Sequence, residues 1–504
     1  MALRDRSVFF RIPEEINLTL ERHFWFVALV LVFLLLAAGI VQDVRKKMWI
    51  DELYTFYMSH QANPTEIVRA TLEGCDGAPP LYAIMVHAIL PWVPREELTV
   101  RLPATLGYCG MVLCLIAFCR PRLPAVYSLM AAALACYGAL DYLTEGRGYG
   151  IVLCCAAGAL LCWQAAMEGR RRVMAVPMLA LCLAVMTAIH YYSVFFLAPL
   201  FVAEMVRWRR SGKLDIAVLM AMAAPLPVLA LHYPLILAGE RFEQHFWSPA
   251  RLHNIPELYS PYLEIGLPIA LLAAFSISRR SAKPAQPTLT IAEWVAAATF
   301  SLMPFCVLVL SRFTTHVFVD RYTLWAVPGV AVLATTLFYL AADGSIRVGV
   351  ITLVFILGLI GFREVSDLSR RPALLEGEGI RQALSALQDD SEPIVIADHH
   401  VFMEISYYGS PEIRQRVIYP VNRDLDLRYF GFDTGALLMS ALSHRTRLHI
   451  IGYDVMLATY PRFVLAALPK DYLPWQLTRA GYRVVPVDPS AVPTLYQVDS
   501  PASP

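Results

Sequence analysis

Residues 24–41, FWFVALVLVFLLLAAGIV, contain no charge, and this apolar run is just long enough to cross a bilayer as a helix, which needs ~20 residues. No small-residue cleavage site follows it, and Arg45-Lys46-Lys47 stand directly behind, so it reads as a retained signal-anchor. About ten residues beyond its end comes Trp49-Ile50-Asp51-Glu52, an acidic doublet that falls at the membrane surface on the side where the first helix exits. The remaining sequence extends the pattern. Apolar residues make up 57% of the 504 and charged ones 16%, against ~45–50% and ~25% in soluble domains. This composition specifies a polytopic α-helical membrane protein. The net charge of +1 carries no information about partners, and no nucleic-acid partner is expected.

Further apolar spans fall near 101–118, 124–140, 149–167, 173–189, 191–206, 214–238, 259–277, 289–310, 322–342 and 346–362, which makes about eleven transmembrane helices. Residues 81–93 are also apolar but short, and read as a helix embedded in the interface. Basic residues flank alternate loops: Arg120 and Arg122, Arg170 to Arg172, Arg207 to Lys213, Arg279 to Lys283, and Arg347. Such residues favour the cytoplasm, which puts the N-terminus inside and the tail from Arg363 outside. The triplet Arg45-Lys46-Lys47 runs against this trend. The expected domains are a membrane domain over 1–362, whose first outer loop 42–99 carries the acidic doublet, and an extracytoplasmic domain over 363–504.

That tail has no spanning segment. Short β-like runs at 393–397, 416–421, 448–452, 462–467, 482–487 and 494–498, with helix-like stretches between several of them, predict a small α/β layer. Nine of the ten cysteines lie in or beside apolar segments and read as small core residues; only Cys75 falls in a long loop.

Placed on this topology, the unusual polar residues share one side. Asp51, Glu52 and Asp76 lie in the first outer loop, Glu145 and Arg147 in the next, then His190, then Glu240 to His245, then His316, Asp320 and Arg321. The opposite loops hold mostly arginine without matching acids. Each residue has a structural reading when taken singly. Arg147 and Arg321 can snorkel, His190 can be a bonded core histidine, and Asp51-Glu52 can open a helix. Jointly they place charges that cost ~2.5–3.5 kcal/mol each at bilayer depth on one face, which suggests use. An arginine at a helix end can hold a phosphate, and a nearby carboxylate can take a proton from an attacking hydroxyl. An apolar groove between helices can take a lipid tail.

Several short motifs now resemble a known superfamily, the GT-C glycosyltransferases that use polyprenyl-phosphate-linked sugars. They are Asp51-Glu52, Pro79-Pro80-Leu81-Tyr82, Val100-Arg101-Leu102-Pro103, Glu145-Gly-Arg147-Gly-Tyr149, His190-Tyr191-Tyr192 and Asp320-Arg321-Tyr322. Within the superfamily the chain resembles the group of protein O-mannosyltransferases, lipid A aminoarabinose transferases and lipopolysaccharide-core sugar transferases. The resemblance implies that Asp51 is the catalytic base and that Glu52 binds or orients substrate. It also implies that Arg147 and Arg321, with Arg101, meet the lipid phosphate, and it places Asp76, Tyr82, Glu145, Tyr149, His190, Tyr191, Asp320 and Tyr322 among the substrate-binding residues. Many relatives have histidine before the double proline, where this chain has Ala78. The implied donor is a polyprenyl-phosphate-linked sugar and the acceptor a glycan, lipid or protein, at the cell (inner) membrane. Some branches use a divalent metal; the acids here are few and separated, so no cofactor is expected. The alternatives are a transporter or flippase of lipid-linked sugars, against which the lack of repeats and of midplane charges speaks, and a scaffold acting through its outer domain.

Overall fold

A computed structural model describes residues 14–252, 259–260, 289–369, 376–385, 392–487 and 494–501. The chain divides into two compact units. The first comprises Met1–Val44, Arg101–Tyr233 and Ser248–Ser369; the second comprises Arg45–Val100, Pro234–Trp247 and Arg370–Pro504.

Eight helices among the described residues are long and apolar enough to cross a membrane: Phe24–Arg45, Glu96–Cys119, Tyr149–Met167, Arg172–Ile189, Ile216–Phe242, Ile291–Phe313, Asp320–Ala341 and Ile346–Leu368. These coincide with eight of the expected spans. The span expected at 124–140 is a fourteen-residue helix, Ala125–Gly138, followed by a 3-10 turn, Leu140–Thr144. The one expected at 191–206 divides into a 3-10 turn, Tyr191–Phe196, and a helix, Leu197–Ser211, with Arg209 and Arg210 in its last turn. The one expected at 259–277 lies outside the described residues. The short apolar stretch at 81–93 forms the helix Leu81–Ile89. On the first helix Trp25, Phe26, Leu29, Phe33 and Leu34 are each more than half exposed, as suits apolar side chains whose surroundings are hydrocarbon rather than water.

Within the first unit the helices Glu96–Cys119 and Tyr149–Met167 meet backbone to backbone. A Cβ on Gly107 would lie 2.8 Å from the Gly150 carbonyl carbon, and one on Gly150 would collide with the Ala104 carbonyl. Small residues permit this approach, the usual device for packing helices in lipid. The contact joins the first turn of Tyr149–Met167 to the middle of Glu96–Cys119, one turn beyond Arg101.

At the other end of these helices the arginines are paired, contrary to the expectation of arginine without matching acids. Arg122 bonds Glu293 (2.9 Å) and Glu168 (2.5 Å), and Gln164 also donates to Glu293 (2.8 Å). Arg120 pairs with Glu21. Arg172 and Arg207 share Asp215 at 2.5 and 3.3 Å. The acids come from distant segments, and several sit in the first turn of a helix or at its cap, so the loop sequences did not display them. Glu293 and Glu204 are fully buried and need such partners, because a buried charge is stable only when paired and hydrogen-bonded.

The second unit holds a six-stranded sheet, β1 (Ile394–Ile396), β2 (Val417–Val421), β3 (Ile450–Gly452), β4 (Arg462–Ala467), β5 (Arg483–Pro486) and β6 (Thr494–Asp499), in the order β3-β2-β1-β4-β6-β5. The β3-β2-β1-β4 portion is parallel and β6 runs antiparallel to β4 and β5. All six strands fall on the expected runs. β1 is buried along its whole length, as a central parallel strand covered on both faces should be. Val395, Ile418, Phe463, Leu465, Leu477 and Val498 form its core. The same unit includes the helices Ile50–Ser59, Pro64–Glu73 and Leu81–Ile89 of the expected first outer loop. Arg445 ties Pro64–Glu73 down through Glu66 (2.7 Å) and Glu73. Lys47 of the anomalous basic triplet is bonded to Glu378 at 2.5 Å, so its charge is paired within this unit.

Candidate functional site

Three segments of the first unit converge. The first is the 3-10 turn Leu140–Thr144 with the residues up to Tyr149, where the Arg147 N–H donates to the Glu145 carbonyl at 2.8 Å. The second is His190, which ends the helix Arg172–Ile189 in an extended conformation and precedes Tyr191–Phe196. The third is the 3-10 turn Asp320–Ala326, where Asp320 Oδ1 accepts the Arg321 N–H at 2.7 Å. These turns interrupt regular helix at the end of apolar segments, where side chains with polar tips gather.

The His190 ring is surrounded by tyrosines: Tyr322 at 5.0 Å, Tyr149 at 5.8 Å and Tyr192 at 6.0 Å between centroids. Tyr192 lies 4.8 Å from Tyr322, and Tyr142 5.4 Å from Tyr149. Tyr192 is anchored by its hydroxyl to the Val317 carbonyl at 3.0 Å, beside the Pro249–Val317 bridge. Burial pushes the His190 pKa down to about 3, and the positive charges of Arg321 and Arg147 push in the same direction. The imidazole is therefore neutral at physiological pH, and both guanidinium groups act on one spot. Burial likewise raises the pKa of Tyr142, with the charges of Asp320 and Glu145 next in effect. Glu145 is buried.

Next to this cluster in sequence, Leu197 and Ala198 begin the lining of an apolar cavity of about 470 Å³, completed by Phe201, Leu219, Met222 and Ala223. Its walls are almost wholly apolar and suit an acyl or prenyl chain better than a polar ligand.

Of the residues singled out from the sequence, Glu145, Arg147, Tyr149, His190, Asp320, Arg321 and Tyr322 thus come together. Tyr191 turns elsewhere: its ring lies against His232 at 5.8 Å, and its buried hydroxyl has no hydrogen-bond partner among the described residues. Arg101 is fully buried and donates to the Asp43 carbonyl at 2.8 Å, a cation on the last turn of the first helix, where the helix dipole favours one. Thr105 bonds the Asp43 carboxylate at 2.7 Å beside it. Sequence reasoning passed over Tyr142, whose only signal is a tyrosine three residues before Glu145.

Asp51, Glu52, Asp76 and Tyr82 belong to the second unit. Asp51 and Glu52 occupy the first turn of Ile50–Ser59. Glu52 is fully buried, and its Oε2 accepts the Trp49 N–H at 3.1 Å. This is half of a capping box, since the Trp49 indole has no acceptor to complete it. Asp51 is only partly buried, and its carboxylate sits where the helix dipole favours an anion. Asp76 Oδ1 accepts the Ala78 N–H at 2.9 Å, fixing the turn into Pro79-Pro80. The Tyr82 hydroxyl donates to the Val100 carbonyl at 2.7 Å.

No protein-family model matches the sequence, and no curated protein sequence does. Solved structures do share its architecture. ArnT from Cupriavidus metallidurans in the apo state superposes with a TM-score of 0.56 at 12% identity, over 95% of this chain and 98% of that one. ArnT from the same organism bound to undecaprenyl phosphate gives 0.53 at 13%, over 95% and 99%. Agreement over nearly the whole of both chains, at so low an identity, shows that this chain and ArnT share a fold.

Proposed function

We propose that this chain, an integral membrane protein with the fold of ArnT, transfers a sugar from a polyprenyl-phosphate donor to a hydroxyl acceptor at the outer face of the membrane, with its N-terminus cytoplasmic. The observation that carries the reading is the meeting of the Arg147 and Arg321 turns at His190, whose ring lies 5.8 Å from Tyr149 and 5.0 Å from Tyr322, with both guanidinium charges felt there. A positive field that disfavours imidazolium favours a phosphate at the same place. The apolar cavity that begins at Leu197 fits the lipid part of such a donor, and the similarity to a protein solved with undecaprenyl phosphate agrees with that ligand class.

The chemistry is a single displacement. Asp51 accepts the proton of the acceptor hydroxyl, whose oxygen bonds to the anomeric carbon as the bond from that carbon to the phosphate oxygen breaks. The sugar carbon inverts, and polyprenyl phosphate departs with its charge against arginine. The leaving group already carries a stable negative charge, so no general acid is needed; preorganised positive charge supplies the stabilisation. His190, neutral, contributes a hydrogen bond and no charge.

Asp51→Asn is expected to lower turnover at least ~100-fold, the scale of general-base catalysis, while the purified protein still binds polyprenyl phosphate. The assay follows release of free polyprenyl phosphate, which should require acceptor. Transfer at the parent rate by Asp51→Asn would remove Asp51 as the base. Movement of intact donor across vesicles without acceptor would favour a flippase instead.

A further inference from the structure

The helix that carries Asp51 is held by the C-terminal part of the chain at several separate points. Ahead of it, the Met48 N–H donates to the Tyr408 hydroxyl at 2.7 Å. Lys47 Nζ bonds Glu378 at 2.5 Å and stands 5.4 Å over the Tyr408 ring. Within it, the Tyr54 hydroxyl donates to Met439 Sδ at 3.9 Å, and Phe56 meets Tyr407 edge-on at 4.9 Å. Met48, Leu53 and Tyr54 are buried. Tyr407 and Tyr408 close the helix His399–Tyr408, whose other end is fixed at the carboxyl end of β1 by Asp398, which accepts the His400 and Val401 N–H groups. That helix buries Val401, Phe402, Met403 and Ile405, so it is a firm element rather than a loop. Glu378 is buried and also bonded to Arg381, and Gly377, one residue before it, donates to Glu404 of the same helix at 2.8 Å.

We infer that Tyr408 and Glu378 are positioning residues for the proposed base: Tyr408 fixes the backbone three residues ahead of Asp51, Glu378 holds the side chain of the preceding Lys47, and together they set where the Asp51 carboxylate points. The inference rests on the role proposed for Asp51. The C-terminal unit would then serve catalysis through the geometry of an acid outside its sheet, in addition to any contact with acceptor. The physical argument is one of tolerance. A base must sit within hydrogen-bond reach of the proton it takes, and a misplacement of about 1 Å can cost 10²-fold in rate. A short helix of ten residues gains little rigidity from its own hydrogen bonds, so its direction must be set by what it docks on. The sequence carries no sign of this link, since Met48 and Tyr408 are 360 positions apart.

The test uses the full chain in detergent or vesicles. Tyr408→Phe removes the acceptor for the Met48 N–H and keeps the ring beneath Lys47; Glu378→Gln removes the charge facing Lys47 and keeps the shape. Each is expected to lower kcat about tenfold with donor KM within twofold and an unchanged melting temperature. In an Asp51→Glu background, where the carboxylate is already displaced, Tyr408→Phe is expected to lower the remaining rate by less than threefold, because the two changes act on one geometry. Parent kcat in both single variants would overturn the inference and leave Asp51 in place. An equal, multiplicative loss in the Asp51→Glu background would also overturn it, since it would mark a role independent of Asp51. Full activity of Asp51→Asn would overturn the proposed base and the inference together.

Discussion

Arg147 and Arg321 show how little a single residue type reveals until its surroundings are known. Each ends or opens a membrane helix, where arginine commonly places its charge among headgroups. Their convergence on His190 places both beside the tyrosine cluster, whereas Arg101 donates to a backbone carbonyl of the first helix and Arg122 pairs with buried Glu293. Arg321→Gln is therefore expected to weaken the binding of polyprenyl phosphate by about 10- to 100-fold, as loss of a charge-assisted pair worth roughly 1.5–3 kcal/mol would. Titration of the purified protein with the lipid phosphate reads this directly, and an unchanged Kd would remove Arg321 from the phosphate site. Tyr191 illustrates the converse. Adjacent to two useful residues in sequence, it faces His232, because a 3-10 turn sends successive side chains about a third of a circle apart.

At the scale of elements, the site depends on two helices being able to touch. Gly107 and Gly150 bring Glu96–Cys119 and Tyr149–Met167 into backbone contact, and Gly150 lies three residues after Arg147. Gly150→Val would drive a branched side chain into the Ala104 carbonyl. It is expected to destabilise the protein by about 1–3 kcal/mol, the usual cost of overpacking, and to impair donor binding by displacing Arg147. Thermal unfolding in detergent followed by lipid-phosphate titration checks both parts; a variant with parent stability would mean that the helices separate freely. The strands and spans were legible because their patterns are local: an uncharged run for a span, a short apolar run between turn residues for a strand. The 3-10 turns Tyr191–Phe196 and Asp320–Ala326 were not, since a short apolar run reads as helix from its composition alone.

At the scale of the whole molecule, the second unit carries two titrations of opposite sign. Asp426 is buried, and burial first, then Asp433 and Asp398, raise its pKa to about 6 against the effect of a hydrogen bond from Tyr472 at 2.9 Å. An unfolded aspartate titrates near 3.9, so the folded state binds the extra proton, and stability is lost as pH rises through 6. His399 runs the other way. Its pKa is pushed down to about 3, chiefly by burial, so the stability it contributes is present above about 6.5 and is lost as pH falls toward 3. Asp426→Asn keeps an acceptor for Tyr472 and removes the first effect. The variant should match the parent near pH 4 and become more stable than it by at most about 3 kcal/mol by pH 7, the equivalent of two pKa units. Melting temperatures across that range read the difference, and a constant gap would mean that Asp426 is ionised in the folded protein at all of these pH values.

By itself the sequence determined the medium and the material. Eleven apolar runs mark segments suited to hydrocarbon, because each buried charge there is costly, and eight of them are long apolar helices among the described residues; six short apolar runs mark the strands of the sheet. It also supplied the candidates, since acids, arginines and histidines at helix ends are rare enough to notice. Only the tertiary structure decided which candidates meet. Pairing of Arg122 with Glu293, the turning of Tyr191 toward His232 and the docking of the Asp51 helix on Tyr408 all join residues from separate segments. Such contacts depend on how helices cross and where their ends fall, and no local pattern records that.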